Sequence, residues 1–235
     1  ARSAVSPPCS APERFAGRGC ACYDPSLSVE TGGANQEDRV TEHATEASRW
    51  RIELAKELFE YYAPRDGIRM AVLSGSPPKG LSDEYSDLDV IVFWDAIDVE
   101  WLEGNPLGGI ECERKYFRKM GEADVYLESY YLGELKVDFG HLTMDVWKEM
   151  VDGVLERHEA DPSSIGSIGG FLTSLPLFGA SAVEEWKARL AHYPDELAVK
   201  VVRQHRRFFV PGYLLNQAYG RGDVLAYYDG LCLMF

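Results

Sequence analysis

The chain has 235 residues, room for one large domain or two small ones, and its 46% hydrophobic and 12% aromatic content supports a packed core. Its 38 acidic against 24 basic residues give a formal net charge of −14, a surface that repels a nucleic-acid backbone unless a local basic patch compensates. No apolar run approaches the length that spans a bilayer, and residues 1–40 lack the apolar stretch of a secretory signal.

Residues 1–38 are rich in Ala, Ser, Pro, Gly and Arg without periodicity, which predicts a disordered tail. Cys9, Cys20 and Cys22 lie in it; with Cys112 and Cys232 they match no zinc spacing, and five cannot all pair. A reducing, cytoplasmic compartment is the expectation. From about Val40 to Tyr62, Ala44, Ala47, Leu54, Leu58 and Tyr62 recur at helical intervals. Pro64 to Gly67 then turn the chain into an apolar run, Ile68 to Leu73, read as a strand; a second run covers Val90 to Phe93.

The segment between these strands carries the chemistry. Gly75 lets the chain leave a strand at unusual φ and brings backbone N–H groups near an anion, while Ser76 adds a hydroxyl. Lys79 offers a point charge to a phosphate oxygen, and Gly80 keeps the loop open for one to pass. A Walker A loop is excluded, because Leu81 and Ser82 follow Gly80 where that motif needs Lys with Ser or Thr. Ser86-Asp87-Leu88-Asp89 opens the second strand, and the alternation of strand side chains puts Asp87 and Asp89 on one side. Two carboxylates so placed repel unless a cation lies between them, and oxygen-only ligands favour Mg²⁺, which also accepts phosphate oxygens. Asp83 and Glu84 belong to solvent on the same loop.

A short helix is predicted over Ala96 to Leu102, closed by Gly104-Asn-Pro106. Strands follow near Ile110 to Tyr116, Val125 to Tyr131 and Leu135 to His141, the last two joined by a hairpin at Leu132-Gly133. In the last strand Leu135, Val137, Phe139 and His141 share one face, leaving Asp138 on the polar face with Glu134, Lys136 and Gly140. His141 is thereby a core residue with a hydrogen-bonded ring. A helix containing Met144, Val146, Trp147, Met150, Val151 and Leu155 then packs on the sheet.

Gly75-Ser76, Gly80 and Ser86-Asp87-Leu88-Asp89-Val90 together resemble the signature of the DNA polymerase beta-like nucleotidyltransferase superfamily. The resemblance covers about Met70 to Leu142, less than half the chain. It implies a third carboxylate on a later strand, for which Asp138 is the candidate and Asp124 and Glu128 are rivals. It also implies an ATP-like nucleoside triphosphate as co-substrate, with Gly75, Ser76, Lys79, Gly80 and Ser86 on the phosphates. Mg²⁺ would be held by Asp87, Asp89 and Asp138, with Asp138 as ligand, general base or both.

Past Glu156 the strand signals stop. Asp161 to Ser164 and Gly166 to Gly170 read as a loop or the start of a helix. Ser181 with Glu184 forms a capping box for a helix from Ala182 to about His192, and Pro194-Asp-Glu196 starts another. Pro211-Gly212 ends it, and Tyr213 to Tyr219 begins a further helix. The fold class is therefore mixed α/β (α+β), a sheet flanked by helices and followed by a C-terminal helical bundle. The domains expected are a catalytic one over 39–157 and a helical, acceptor-binding one over 158–235, truncated at the apolar Leu231 to Phe235. Small antibiotic nucleotidyltransferases of the aminoglycoside and lincosamide type share this arrangement, as the resemblance implies, and acidity suits a cationic acceptor. Tyr126, Tyr130, Trp186 and Tyr193 are candidates to line its pocket. The basic cluster Lys200, Arg203, His205, Arg206 and Arg207 spreads around a helix, so nucleic acid is not the expected partner. Transfer to a protein or RNA end, and a non-catalytic nucleotide-binding module, are the alternatives.

Overall fold

A computed structural model describes residues 44–205 and 218–232. The predicted N-terminal tail, Arg206 and Arg207, and the break at Pro211-Gly212 lie outside the described residues.

Six strands form one mixed sheet in the order β3-β4-β5-β2-β1-β6. They are β1 Ile68–Ser74, β2 Leu88–Trp94, β3 Glu113–Lys119, β4 Val125–Leu132, β5 Leu135–Thr143 and β6 Leu175–Phe178. The helices are α1 Glu46–Phe59, α2 Val99–Glu103, α3 Met144–Leu155, α4 Pro162–Leu172, α5 Ala180–Leu190, α6 Asp195–His205 and α7 Val224–Cys232. The mixed class and the helix-flanked sheet are as the sequence predicts.

The centre of the sheet is apolar on both faces, which is why β1 and β2 read as near-continuous hydrophobic runs. On one face Ile52, Ala55, Leu58 and Phe59 of α1 cover Ala71, Leu73, Val90, Val92 and Phe139. On the other, Trp147 and Val151 of α3, Ile168 and Phe171 of α4, and Val183 and Leu190 of α5 share a cluster with Met70, Val72, Phe93 and Leu142. Thr45 starts α1, its hydroxyl oxygen accepting the Ser48 N–H at 3.1 Å.

Three expectations need correction. Strand structure does not stop at Glu156: β6 pairs antiparallel with β1, with Val72 opposite Pro176. A proline there is tolerable because β6 is an edge strand. The Gly- and Ser-rich stretch after Asp161 is a full helix, α4, with Pro162 in its first turn and the Asp161 carboxylate accepting the Ser164 N–H at 2.8 Å. The Ser181–Glu184 capping box does not form, because α5 begins earlier, at Ala180, behind a Gly179 cap that makes no side-chain bond.

Candidate active site

The β1–β2 connection is pinned from below by the first turns of α1. The Thr45 hydroxyl donates to the Ser82 carbonyl at 2.7 Å, and the Ser82 N–H donates to Ser48 Oγ at 2.8 Å. Arg51, buried to 4% exposure, donates through Nε and Nη2 to the Ser86 carbonyl at 3.0 and 2.7 Å. Ser86 Oγ donates to Asp83 Oδ1 at 2.9 Å and accepts the Asp83 N–H at 3.0 Å, so its hydroxyl shapes the turn before Asp87.

Gly75 leaves β1 at φ +82°, and a Cβ built on it would lie 3.1 Å from Asp89 Oδ2. Any side chain at that position would both strain the backbone and press on the carboxylate. Ser76 follows at the start of a single 3-10 turn, Pro77–Lys79, with its hydroxyl 3.0 Å from that of Ser82. Lys79 is exposed. Gly80 departs from expectation: it is buried, its N–H donates to the Pro77 carbonyl, and a Cβ there would lie 3.1 Å from Ala44 Cα. Gly80 thus seats the loop against Ala44, just before α1.

The parallel pairing of β2 with β5 sets Asp89 opposite Asp138, while β4 sets Ser129 opposite the same residue. Ser129 Oγ donates to Asp138 Oδ1 at 2.6 Å, and Lys136 Nζ donates to Oδ2 at 2.7 Å. Asp87 is exposed, just before β2 begins. Burial, then the negative charges of Asp87 and Asp138, push the Asp89 carboxyl up to about 6, with Lys136 only partly offsetting them. The hydrogen bond to Asp138 raises Lys136 in turn.

Of the rivals to Asp138, Asp124 pairs with Lys119 at 3.0 Å on the surface. Glu128 is fully buried and bonded to Tyr62 and Tyr130 in the core against α1. His141 lies in that core too, its ring bonded to Trp94 and Glu128, as the strand alternation predicts. Sequence reasoning did not assign Lys136, Ser129 or Arg51. Lys136 was legible in principle, two positions from Asp138 on the same strand face; the Ser129 and Arg51 contacts depend on strand order and helix docking.

Among the described residues no group of three or more His, Cys, Asp or Glu side chains forms a ready metal cage. Asp138 is turned to Ser129 and Lys136, which leaves Asp87 and Asp89 as the pair open to a cation. The donor set still fits a hard divalent ion. It is all oxygen, and the repulsion at half-buried Asp89 is incompletely balanced by the chain's own charges.

No protein-family profile and no curated protein matches the chain. Among solved structures, a nucleotidyltransferase-like protein from Exiguobacterium sibiricum matches with a TM-score of 0.35 and 14% identity, covering 80% of this chain and 51% of that one. A mutant of the Cid1 poly(U) polymerase bound to MgATP matches with a TM-score of 0.34 and 15% identity, covering 45% of this chain and 36% of that one. Cid1 in complex with the UTP analog UMPNPP matches with a TM-score of 0.33 and 13% identity, over 58% of this chain and 51% of that one. The chain thus spans roughly a third to a half of these solved chains.

Proposed function

We propose that the chain is a Mg²⁺-dependent nucleotidyltransferase, moving a nucleoside monophosphate from a triphosphate such as ATP to a hydroxyl of a small acceptor. One observation carries the reading: Asp89 is crowded by Asp87 and Asp138 directly beside the Gly75-Ser76 turn.

Gly75 and Ser76 receive the β and γ phosphates, with Lys79 as a nearby surface charge. Asp87 and Asp89 would hold the metal, which supplies charge neutralisation and polarisation of the α-phosphate when bound. The acceptor oxygen bonds to the α-phosphorus in line with the departing group, the bond from that phosphorus to the α–β bridging oxygen breaks, and pyrophosphate leaves. Asp138 takes the hydroxyl proton. Ser129 and Lys136 fix its two oxygens in the absence of substrate, so the base is positioned before the acceptor arrives.

The test is mass spectrometry of candidate acceptors incubated with each nucleoside triphosphate and Mg²⁺. A gain of one nucleoside monophosphate on a small molecule supports the proposal, and the Asp87→Ala/Asp89→Ala double variant should lose that product while staying folded by circular dichroism. Undiminished transfer by the double variant would falsify the assignment. Label arriving on an RNA end or a protein side chain selects the variant acceptors, and tight triphosphate binding without any transfer selects a non-catalytic module.

A further inference from the structure

Beyond the carboxylates, the same sheet face opens into a cavity of about 550 Å³ between the strands, α3 and α4, with Gly75 and Asp89 in its lining. Along β2 the lining passes from Asp89 to Ile91 and Phe93, alternate residues on one side of the strand. Trp147 of α3 and Phe171 of α4 form aromatic walls. Among the described residues that line it, Asp89 is the sole ionisable side chain. Tyr130, expected to line an acceptor pocket, is fully buried in the core on the other face, and Tyr193 is exposed.

The small residues of α4 keep this space open. Helix α4 presents Ser163, Gly166, Ser167 and Gly170 to it, spaced as one helical face. A Cβ added at Gly166 would meet nothing within 4 Å, although glycine weakens a helix interior. No neighbour therefore requires glycine there; its effect is to leave volume. Trp147 is 2% exposed, and its indole N–H has no acceptor among the described residues.

From this lining we infer that the acceptor is an uncharged, ring-bearing, largely apolar molecule of drug-like size. Its hydroxyl sits at the Asp89 end and its rings lie between Trp147 and Phe171. This rests on the nucleotidyl-transfer reading and narrows it against polycationic amino sugars. Seating several ammonium groups in a cavity with one carboxylate would strip their hydration without pairing them.

The probes are 7-hydroxycoumarin, an uncharged planar phenol, and 2-deoxystreptamine, a diamine, each titrated into the full chain by calorimetry, with Mg-ATP titrated separately. The expected result is coumarin binding with little or no diaminocyclitol binding. Gly166→Leu should lose coumarin binding while keeping ATP binding and an equal or higher melting temperature. Coumarin failing to bind while ATP binds overturns the inference and leaves the nucleotidyl-transfer reading standing. So does 2-deoxystreptamine binding in its place, or coumarin binding untouched by Gly166→Leu in a folded variant. If ATP itself fails to bind, the reading falls, and the assignment of the cavity to an acceptor falls with it.

Discussion

The two faces of the sheet each carry acidic side chains away from bulk water, and the surrounding residues treat them in opposite ways. On the α1 side Glu128 is wholly buried, yet both oxygens are answered. Oε1 accepts from Arg114 at 2.6 Å and Tyr130 at 2.7 Å, and Oε2 accepts from Tyr62 at 2.7 Å. His141 Nε2 lies 3.0 Å from Oε2 while its Nδ1 accepts from Trp94 Nε1 at 3.2 Å, so the ring is in the tautomer that donates to Glu128. On the other side Asp89 is half-buried against two carboxylates and has only the indirect help of Lys136. A buried acid whose lone pairs are filled by its own chain is architecture. One left in mutual repulsion is stable only because the rest of the fold holds it, and it gains from a ligand that brings positive charge.

This contrast can be broken by experiment. The largest effect is expected at Glu128. Glu128→Ala removes the carboxylate that Arg114, Tyr62, Tyr130 and His141 share and leaves the Arg114 charge without its partner, and should cost about 3–5 kcal/mol in urea denaturation. A loss under about 1 kcal/mol would mean the network is not structural.

Asp89→Asn should act with the opposite sign. The folded-state value of about 6 stands above the ordinary 3.8, so the folded state binds the proton more tightly than the unfolded state. The stability contributed by Asp89 is then fully present below about pH 4 and is lost as pH rises through about 6. The amide variant escapes that loss and should be more stable by about 1–3 kcal/mol at pH 7.5, with the gap closing at pH 4. Denaturation curves at the two pH values decide it; equal stability at both removes the charge-crowding argument.

Mg²⁺ should supply by binding what Asn supplies by substitution. Millimolar Mg²⁺ should stabilise the wild type at pH 7.5 by about 1–2 kcal/mol and leave the Asp87→Ala/Asp89→Ala variant unmoved, read as a shift in melting temperature. The smallest effect is expected for Lys136→Met. Its pair with Asp138 is about a third exposed on the lysine side, so the loss should stay below about 1 kcal/mol. A loss matching that of Glu128→Ala would place this cluster in the same class as the buried one.

Much of the site could be read from the chain because its parts are local. Gly75-Ser76 and the Asp87/Asp89 pair are short runs at strand ends, and the alternation that turns Asp138 away from Val137, Phe139 and His141 follows strand periodicity. What was not legible depends on distant partners or weak local signals. Glu128 looked like a possible ligand because it is an acid on a predicted strand, and only the docking of Tyr62 and Arg114 makes it core. Strand β6 is four residues long and contains Pro176, so it forms only because β1 offers an edge. Helix α4 holds three glycines that argue against it locally and is retained by Ile168 and Phe171 packing beneath it. Gly80 looked like part of an open loop until its contact with Ala44 was visible.

The in-register parallel pairing of Asp89 with Asp138 also has a kinetic consequence. Because β2 and β5 are parallel neighbours separated in sequence by β3 and β4, the two acids cannot meet through local folding. Such high-separation contacts close slowly and late. The crowding of Asp89 by Asp138 should therefore be complete only once β5 has paired with β2, so the shifted titration of Asp89 reports sheet completion during refolding.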